Sequence, residues 1–293
     1  MSQPLLAAQQ RAEQLAARLP PLLVAAERIA ATVAQGVHGR RRVGQGDTFW
    51  QFRRYQPGDA ATKIDWRKSA KTQSLFVREM EWAAAQSVWI WRDGSPSMRY
   101  RSRPDLPEKI ERADLLTLAL VALLVRGGER VAIIGGGALP ATGRATLSRI
   151  ALQLERPALS DGSLPPDAPL PRHAQTVLVS DLLSPLPDVD SAVRRIAEQG
   201  VRGHLLQVLD PAEETLPFVG RVRFAGLEAE GETLLSRVEV VREAYVERLL
   251  AHCSGLAAIA RAVGWTFSTH RTDRPPQSAL LALYLQLSET ARP

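Results

Sequence analysis

The chain has 293 residues, 45% hydrophobic and 23% charged, enough for one large globular domain or two smaller ones. Its lone cysteine, Cys253, excludes an internal disulfide framework and a cysteine-built zinc site. The net charge of +6 is uneven: residues 40–112 hold 16 Lys and Arg against 9 Asp and Glu, but no nucleic-acid recognition motif accompanies this excess.

Residues 4–35 have helical composition, interrupted at Pro20-Pro21 because proline removes a donor and clashes with the preceding turn. The opening MSQPLLAAQQ lacks the basic-then-apolar order of a signal peptide. Leu115 to Val125, the longest nearly unbroken apolar run, is shorter than the roughly 20 residues of a membrane span, so the expected compartment is the cytoplasm. Glycines and Arg40-Arg41-Arg42 mark a loop between Gly36 and Gly46. Phe49 to Tyr55 and Ser74 to Met80 read as strands, separated by the turn Pro57-Gly58-Asp59.

Beyond Gln86 the pattern alternates. Val88 to Trp91, Val131 to Ile134, Thr176 to Ser180 and His204 to Leu209 are short apolar runs, as in strands buried on both faces. Helices are predicted over Lys109 to Arg126, Ala145 to Arg156, Asp190 to Gln199, Ser236 to Ala262 and Gln277 to Leu287. Asp190 or Ser191 is the expected N-cap of the third, and Cys253 a small core residue of the fourth. Gly264 to His270 reads as an edge strand, and Pro157 to Pro171 as a surface connector. The expected fold is α/β, a Rossmann-like, mostly parallel sheet with helices on both faces over residues 86–293. An N-terminal helical segment (1–35) and a strand-rich segment (36–85) precede it.

Asp93-Gly94-Ser95-Pro96-Ser97 follows the first buried strand directly. One carboxylate and two hydroxyls on a strand-to-loop turn are hard oxygen donors, suited to Mg²⁺ or Mn²⁺. The same residue types also favour a turn or an N-cap, so the pattern alone leaves both readings open. Asp181 and Asp210 also end strands, where α/β sheets bind ligands. Arg92, beside the first donor, would oppose a cation unless its side chain turns to the other face. Met98 and Tyr100 fit either partner contact or local packing.

A strand ending in D-x-S-x-S inside an alternating sheet resembles the metal-ion-dependent adhesion site of von Willebrand factor A domains. The resemblance implies that Asp93, Ser95, Ser97 and Asp181 hold the cation, with a threonine, Thr146 or alternatively Thr142, completing the shell. Upstream, Arg54-Tyr55-Gln56-Pro57-Gly58-Asp59, Ile64-Asp65-Trp66-Arg67-Lys68-Ser69-Ala70 and Leu75 to Glu81 resemble the bacterial family of unknown function numbered fifty-eight. Downstream, Ser180-Asp181-Leu182-Leu183, Val208 to Glu213 and Thr272 to Pro276 fit it too. Tyr55, Pro57, Gly58, Asp59, Asp65 and Trp66 are expected to be structural in that signature, with Arg92 and Asp210 behind the metal donors.

What the resemblance implies for function is a metal-dependent, non-enzymatic adaptor. It would bind an acidic residue on a client, or a MoxR-type AAA+ ATPase, in protein maturation or complex assembly. Two other readings stand beside it. One is a metal-free interaction scaffold of the same fold. The other is a metal-dependent phosphodiesterase or nuclease built on Asp93, Asp181 and Asp210. The five histidines lack ligand spacing, which argues against zinc.

Overall fold

The computed structural model describes residues 22–34, 49–54, 69, 76–80, 87–155, 162–228 and 231–289. The chain divides into two units, Met1–Val37 with Ser87–Pro293, and His38–Gln86. In the smaller unit β1 (Phe49–Arg54) pairs antiparallel with β2 (Phe76–Met80), the two strands expected there. The signature residues Tyr55, Pro57, Gly58, Asp59, Asp65 and Trp66 lie outside the described residues.

The larger unit is built on five parallel strands. β3 (Ser87–Arg92), β4 (Arg130–Ile133), β5 (Gln175–Ser180), β6 (Arg202–Leu209) and a later strand at the far edge stand in the order β4-β3-β5-β6-edge. Every residue of β5 is buried, so the strand is covered on both faces.

Side-chain alternation sorts two cores. Val88, Ile90, Val177, Val179, Leu206 and Val208 face one layer of helices. In that layer, α1 (residues 22–34) places Ala26, Ile29, Ala30 and Val33 at helical spacing against the sheet core. The N-terminal segment, which the sequence sets apart, therefore contributes a core helix of the main unit. α2 (Lys109–Arg126) starts with a reciprocal capping box between Glu108 and Glu111 and buries its apolar run. α3 (Arg144–Glu155) joins it through Leu147, Ile150 and Leu154.

The opposite face packs Trp91, Leu178, Leu205 and Trp265 under α4 (Leu186–Ala197) and a long later helix. α4 begins a turn before the predicted Asp190, with Pro185 as N-cap. Pro187 is at home in a first turn, where its missing N–H is an orphan anyway. Asp190 instead sits on the helix face, paired with Arg194 at 2.8 Å. The proline-rich connector is not purely superficial either: Leu170 is buried, and Leu164 and Ala168 pack on the same core.

The rest follows from β6. α5 (Pro211–Thr215) is one short turn, and β7 (Val222–Ala225) with β8 (Glu232–Leu235) forms an antiparallel hairpin the sequence reading missed. α6 (Val238–Ala262) is the long helix, β9 (Thr266–Arg271) the far edge strand, and α7 (Pro276–Glu289) returns to the first layer through Leu280, Leu283 and Leu287. No described helix is long and apolar enough to cross a membrane.

His204 links β6 to that edge. Its Nδ1 lies 2.5 Å from the Thr266 hydroxyl and its Nε2 2.9 Å from that of Ser268. Burial lowers its pKa from 6.5 to about 4. Between those values the unfolded chain binds a proton the folded chain refuses, so stability is lost as pH falls below 6.5. Urea midpoints should record about 2 kcal/mol less stability from this group at pH 5 than at pH 7. His204→Gln should flatten that part of the pH slope, and an unchanged slope would contradict the assignment.

Candidate functional site

In a parallel sheet of this order the chain leaves β3 toward β4 on one side and reaches β5 on the other. The crevice at the carboxyl ends of those two strands is where doubly wound domains bind ligands. Asp93 follows β3 there, and Asp181 follows β5.

Asp93 is fully buried and turned into the fold. Its Oδ1 accepts from the Ser95 backbone N–H at 2.8 Å, its Oδ2 from the Ser180 hydroxyl at 2.6 Å. Burial raises its pKa, against the lowering effect of those hydrogen bonds, and the charge of Asp181 raises it further. The Asx turn so formed holds Ser95 buried and leaves Ser97 partly exposed. Ser95 Oγ and Ser97 Oγ lie 3.1 Å apart, and Ser97 Oγ donates to Asp181 Oδ2 at 2.8 Å. Four of the predicted donors thus form one connected group.

Beside them is a residue that sequence reasoning took only as a helix start. Lys109, the first residue of α2, is completely buried. Its ammonium donates to Asp181 Oδ2 at 2.9 Å and to Glu213 Oε1 at 2.5 Å. Desolvation works to lower its pKa, but Asp181 and Glu213 outweigh it and hold the amine charged. The Tyr100 ring centroid lies 5.9 Å away, and burial, with Asp210 and Glu213 nearby, pushes the Tyr100 hydroxyl up to about 12. A lysine at a helix N-terminus opposes the macrodipole, and that mismatch was the readable signal that it serves something else.

The Asp181 turn is held from behind. Leu182 adopts φ +50°, a left-handed conformation uncommon for a non-glycine residue. Its N–H donates to Ser180 Oγ at 3.0 Å, and its carbonyl lies 2.7 Å from His252 Nε2 on α6. Gln207 donates to the Asp181 carbonyl, and its Oε1 accepts from the half-buried Cys253 thiol.

The remaining candidates go elsewhere. Arg92 turns away, its Nε 2.8 Å from Asp114 Oδ1 and its NH2 group donating to the Leu154 carbonyl. Met98 is buried in the core, so local packing is its role. Neither threonine is brought to the group. Ala141 bridges to Val131 at the start of β4, which puts Thr142 at the opposite end of the sheet from Asp93. Thr146 donates to the Thr142 carbonyl and lies two turns before Leu154, roughly 12 Å along α3. Asp210 caps α5, its Oδ1 accepting from Ala212 N at 2.8 Å and its Oδ2 from Ser102 N at 2.9 Å. Among the described residues no set of three or more His, Cys, Asp or Glu side chains converges as metal ligands.

Next to Ser97 and Asp181 opens a cavity of about 400 Å³. α5, α6 and the β7–β8 hairpin region wall it, with Leu216, Phe218, Phe224 and Tyr245 on the apolar side. Glu213 and Glu228 join Asp181 on the polar side.

Fold and topology together define a doubly wound α/β domain with a crevice at its switch point. The chain belongs to the DUF58 family, described as protein of unknown function, whose model matches residues 51–254. Uncharacterized proteins of Mycobacterium tuberculosis and Mycobacterium bovis are 30% identical to it over 278 residues, 89% of this chain and 86% of theirs. Among solved structures, the conserved hypothetical protein BatB of Bacteroides thetaiotaomicron is 20% identical with a TM-score of 0.41, covering 70% of this chain and 98% of that one. An aerotolerance-related membrane protein of Bacteroides fragilis, carrying multiple mutations to serines, is 19% identical with the same TM-score, over 70% and 99%.

Proposed function

We propose that the protein is a non-enzymatic binding module in which Ser95, Ser97 and Asp181 hold Mg²⁺ or Mn²⁺ for a partner's carboxylate. The observation that carries this is the oxygen spacing. Oxygens at adjacent corners of a Mg²⁺ octahedron stand about 2.9 Å apart. Here the Ser95–Ser97 and Ser97–Asp181 separations are 3.1 Å and 2.8 Å. Charge supports it as well: two carboxyl groups, Asp181 and Glu213, meet one buried ammonium, and Asp93 is close enough to Asp181 for their charges to interact. When bound, the cation supplies a hard Lewis-acidic contact for an incoming carboxylate. Asp93 positions the serine loop, and Lys109 offsets part of the acidic charge. The family resemblance suggests a MoxR-type AAA+ ATPase or its client as the partner, acting in the cytoplasm. Hydrolysis through Asp93, Asp181 and Asp210 has less support, because Asp210 spends both oxygens on backbone N–H groups.

A second reading rests on a different observation. Lys109 already gives Asp181 a cation at 2.9 Å, as a metal-free scaffold would require. Melting curves across Mg²⁺, Mn²⁺ and Ca²⁺ separate the two. An ion at 100 times its Kd adds about 2.7 kcal/mol. The metal reading expects that gain with Mg²⁺ or Mn²⁺ in the wild type and its loss in Ser97→Ala, whose side chain is only half-buried. A wild type indifferent to all three ions leaves the scaffold.

A further inference from the structure

From the cavity beside Asp181 we infer that the partner contributes a basic side chain, arginine above all, which enters between the aromatic wall and Glu228. This rests on the reading of this face as a protein-binding surface, and names the chemistry of what binds. Among the described residues, the charged side chains lining the cavity are Asp181, Glu213 and Glu228, and no lysine or arginine lines it. Lys109 reaches Asp181 and Glu213 from inside the fold, but it makes no ion pair with Glu228. The contact shown for Glu228 is a long one, 3.4 Å from the Ser97 backbone N–H to its Oε1. The cavity therefore presents an acidic group that has no ion-pair partner among the described residues.

The walls fix which cation fits. Phe218 and Phe224 meet edge to face, centroids 5.7 Å apart, and Tyr100 and Tyr245 also line the space. Aromatic faces attract a guanidinium, and its aliphatic stem suits the Leu216 side. A planar fork can also bond a carboxylate with two N–H groups, which a lysine ammonium cannot match. A volume of about 400 Å³ accommodates one such side chain with room for its backbone attachment.

The mouth points to a protein as the source. Leu183 and Leu227 line the cavity yet are 41% and 49% exposed. Val219, next to the lining residue Phe218, is 72% exposed. A free amine would leave this apolar rim in water, whereas a polypeptide covers it.

The test is methyl NMR of Leu183, Leu216 and Leu227 in the full chain, titrated with acetyl-Gly-Arg-Gly-amide. Peptides with Lys, Leu or Asp in place of Arg, and free agmatine, serve as comparisons. The proposal expects saturable shifts for the arginine peptide, weaker binding for lysine, and none for leucine or aspartate. Glu228→Gln should weaken the arginine peptide about tenfold. No saturation, equal binding of the leucine peptide, agmatine binding as tightly as the peptide, or an unaffected Glu228→Gln each overturns it. Magnesium melting shifts measured on the same samples keep the two ideas apart. Arginine binding that persists in chelator, with no magnesium shift, sinks the metal reading alone. A magnesium shift without arginine binding sinks this proposal alone.

Discussion

Lys109→Met should destabilise the protein by about 3–5 kcal/mol, the range found when one partner of a buried ion pair is removed. Methionine keeps the length and apolar stem of lysine, so the loss is not a packing loss. What it removes is the only ammonium among the described residues that meets Asp181 Oδ2 and Glu213 Oε1. Both carboxyl groups would then have to protonate or remain charged without their counterion, Asp181 almost wholly buried and Glu213 exposed only in part, at the cavity. Urea unfolding at pH 7 measures the loss, and a change below about 1 kcal/mol would mean that solvent or another cation serves these carboxylates. The variant also probes the metal reading. With Lys109 gone the site is more acidic, so added Mg²⁺ should restore more stability to Lys109→Met than it adds to the wild type. A scaffold without a metal would show no such recovery.

Asp93→Ala should cost about 4 kcal/mol, because it orphans two buried donors at roughly 1–3 kcal/mol each and opens a small cavity. The donors are the Ser95 N–H and the Ser180 hydroxyl. Asp93→Asn keeps an acceptor for the Ser95 N–H and should lose less than half as much. Equal losses in the two variants would mean that the charge, rather than the hydrogen bonds, is what the position supplies. Because alanine here disturbs the fold, loss of ion binding in Asp93→Ala would not by itself identify a ligand. Ser97→Ala carries that question instead.

Much of this architecture was legible in the chain. Short β-rich runs separated by helical periodicity give the five parallel strands, and the far edge strand follows from the alternation around Trp265, Phe267 and Thr269. D-x-S-x-S placed Asp93, Ser95 and Ser97 on one turn, and the strand context added Asp181. What stayed hidden depends on distance along the chain. Lys109 finds Glu213 across 104 residues, and Glu228 meets Ser97 across 131. No local period encodes such meetings. The threonine failed for a related reason: chain order places it between Asp93 and Asp181, but the sheet sends that segment to the other end. The β7–β8 hairpin was missed because its strands are four residues each and largely exposed, so they carry little apolar signal.

The order of strands also sets when the site can come into being. β3 lies between β4 and β5, so the Asp93–Ser180 bond closes a separation of 87 residues and the Ser97–Asp181 bond one of 84. Local elements such as α2 can form early, but contacts of this reach wait for a large loop to close. The turn that aims Asp181 must also accept the unusual Leu182 backbone, which His252 on the distant α6 steadies. Helices such as α2 need only local contacts, whereas the crevice needs β3 and β5 to pair across that same separation. On the proposed reading, a partner that grips the Ser97–Asp181 rim would engage only chains in which β3 and β5 have already paired.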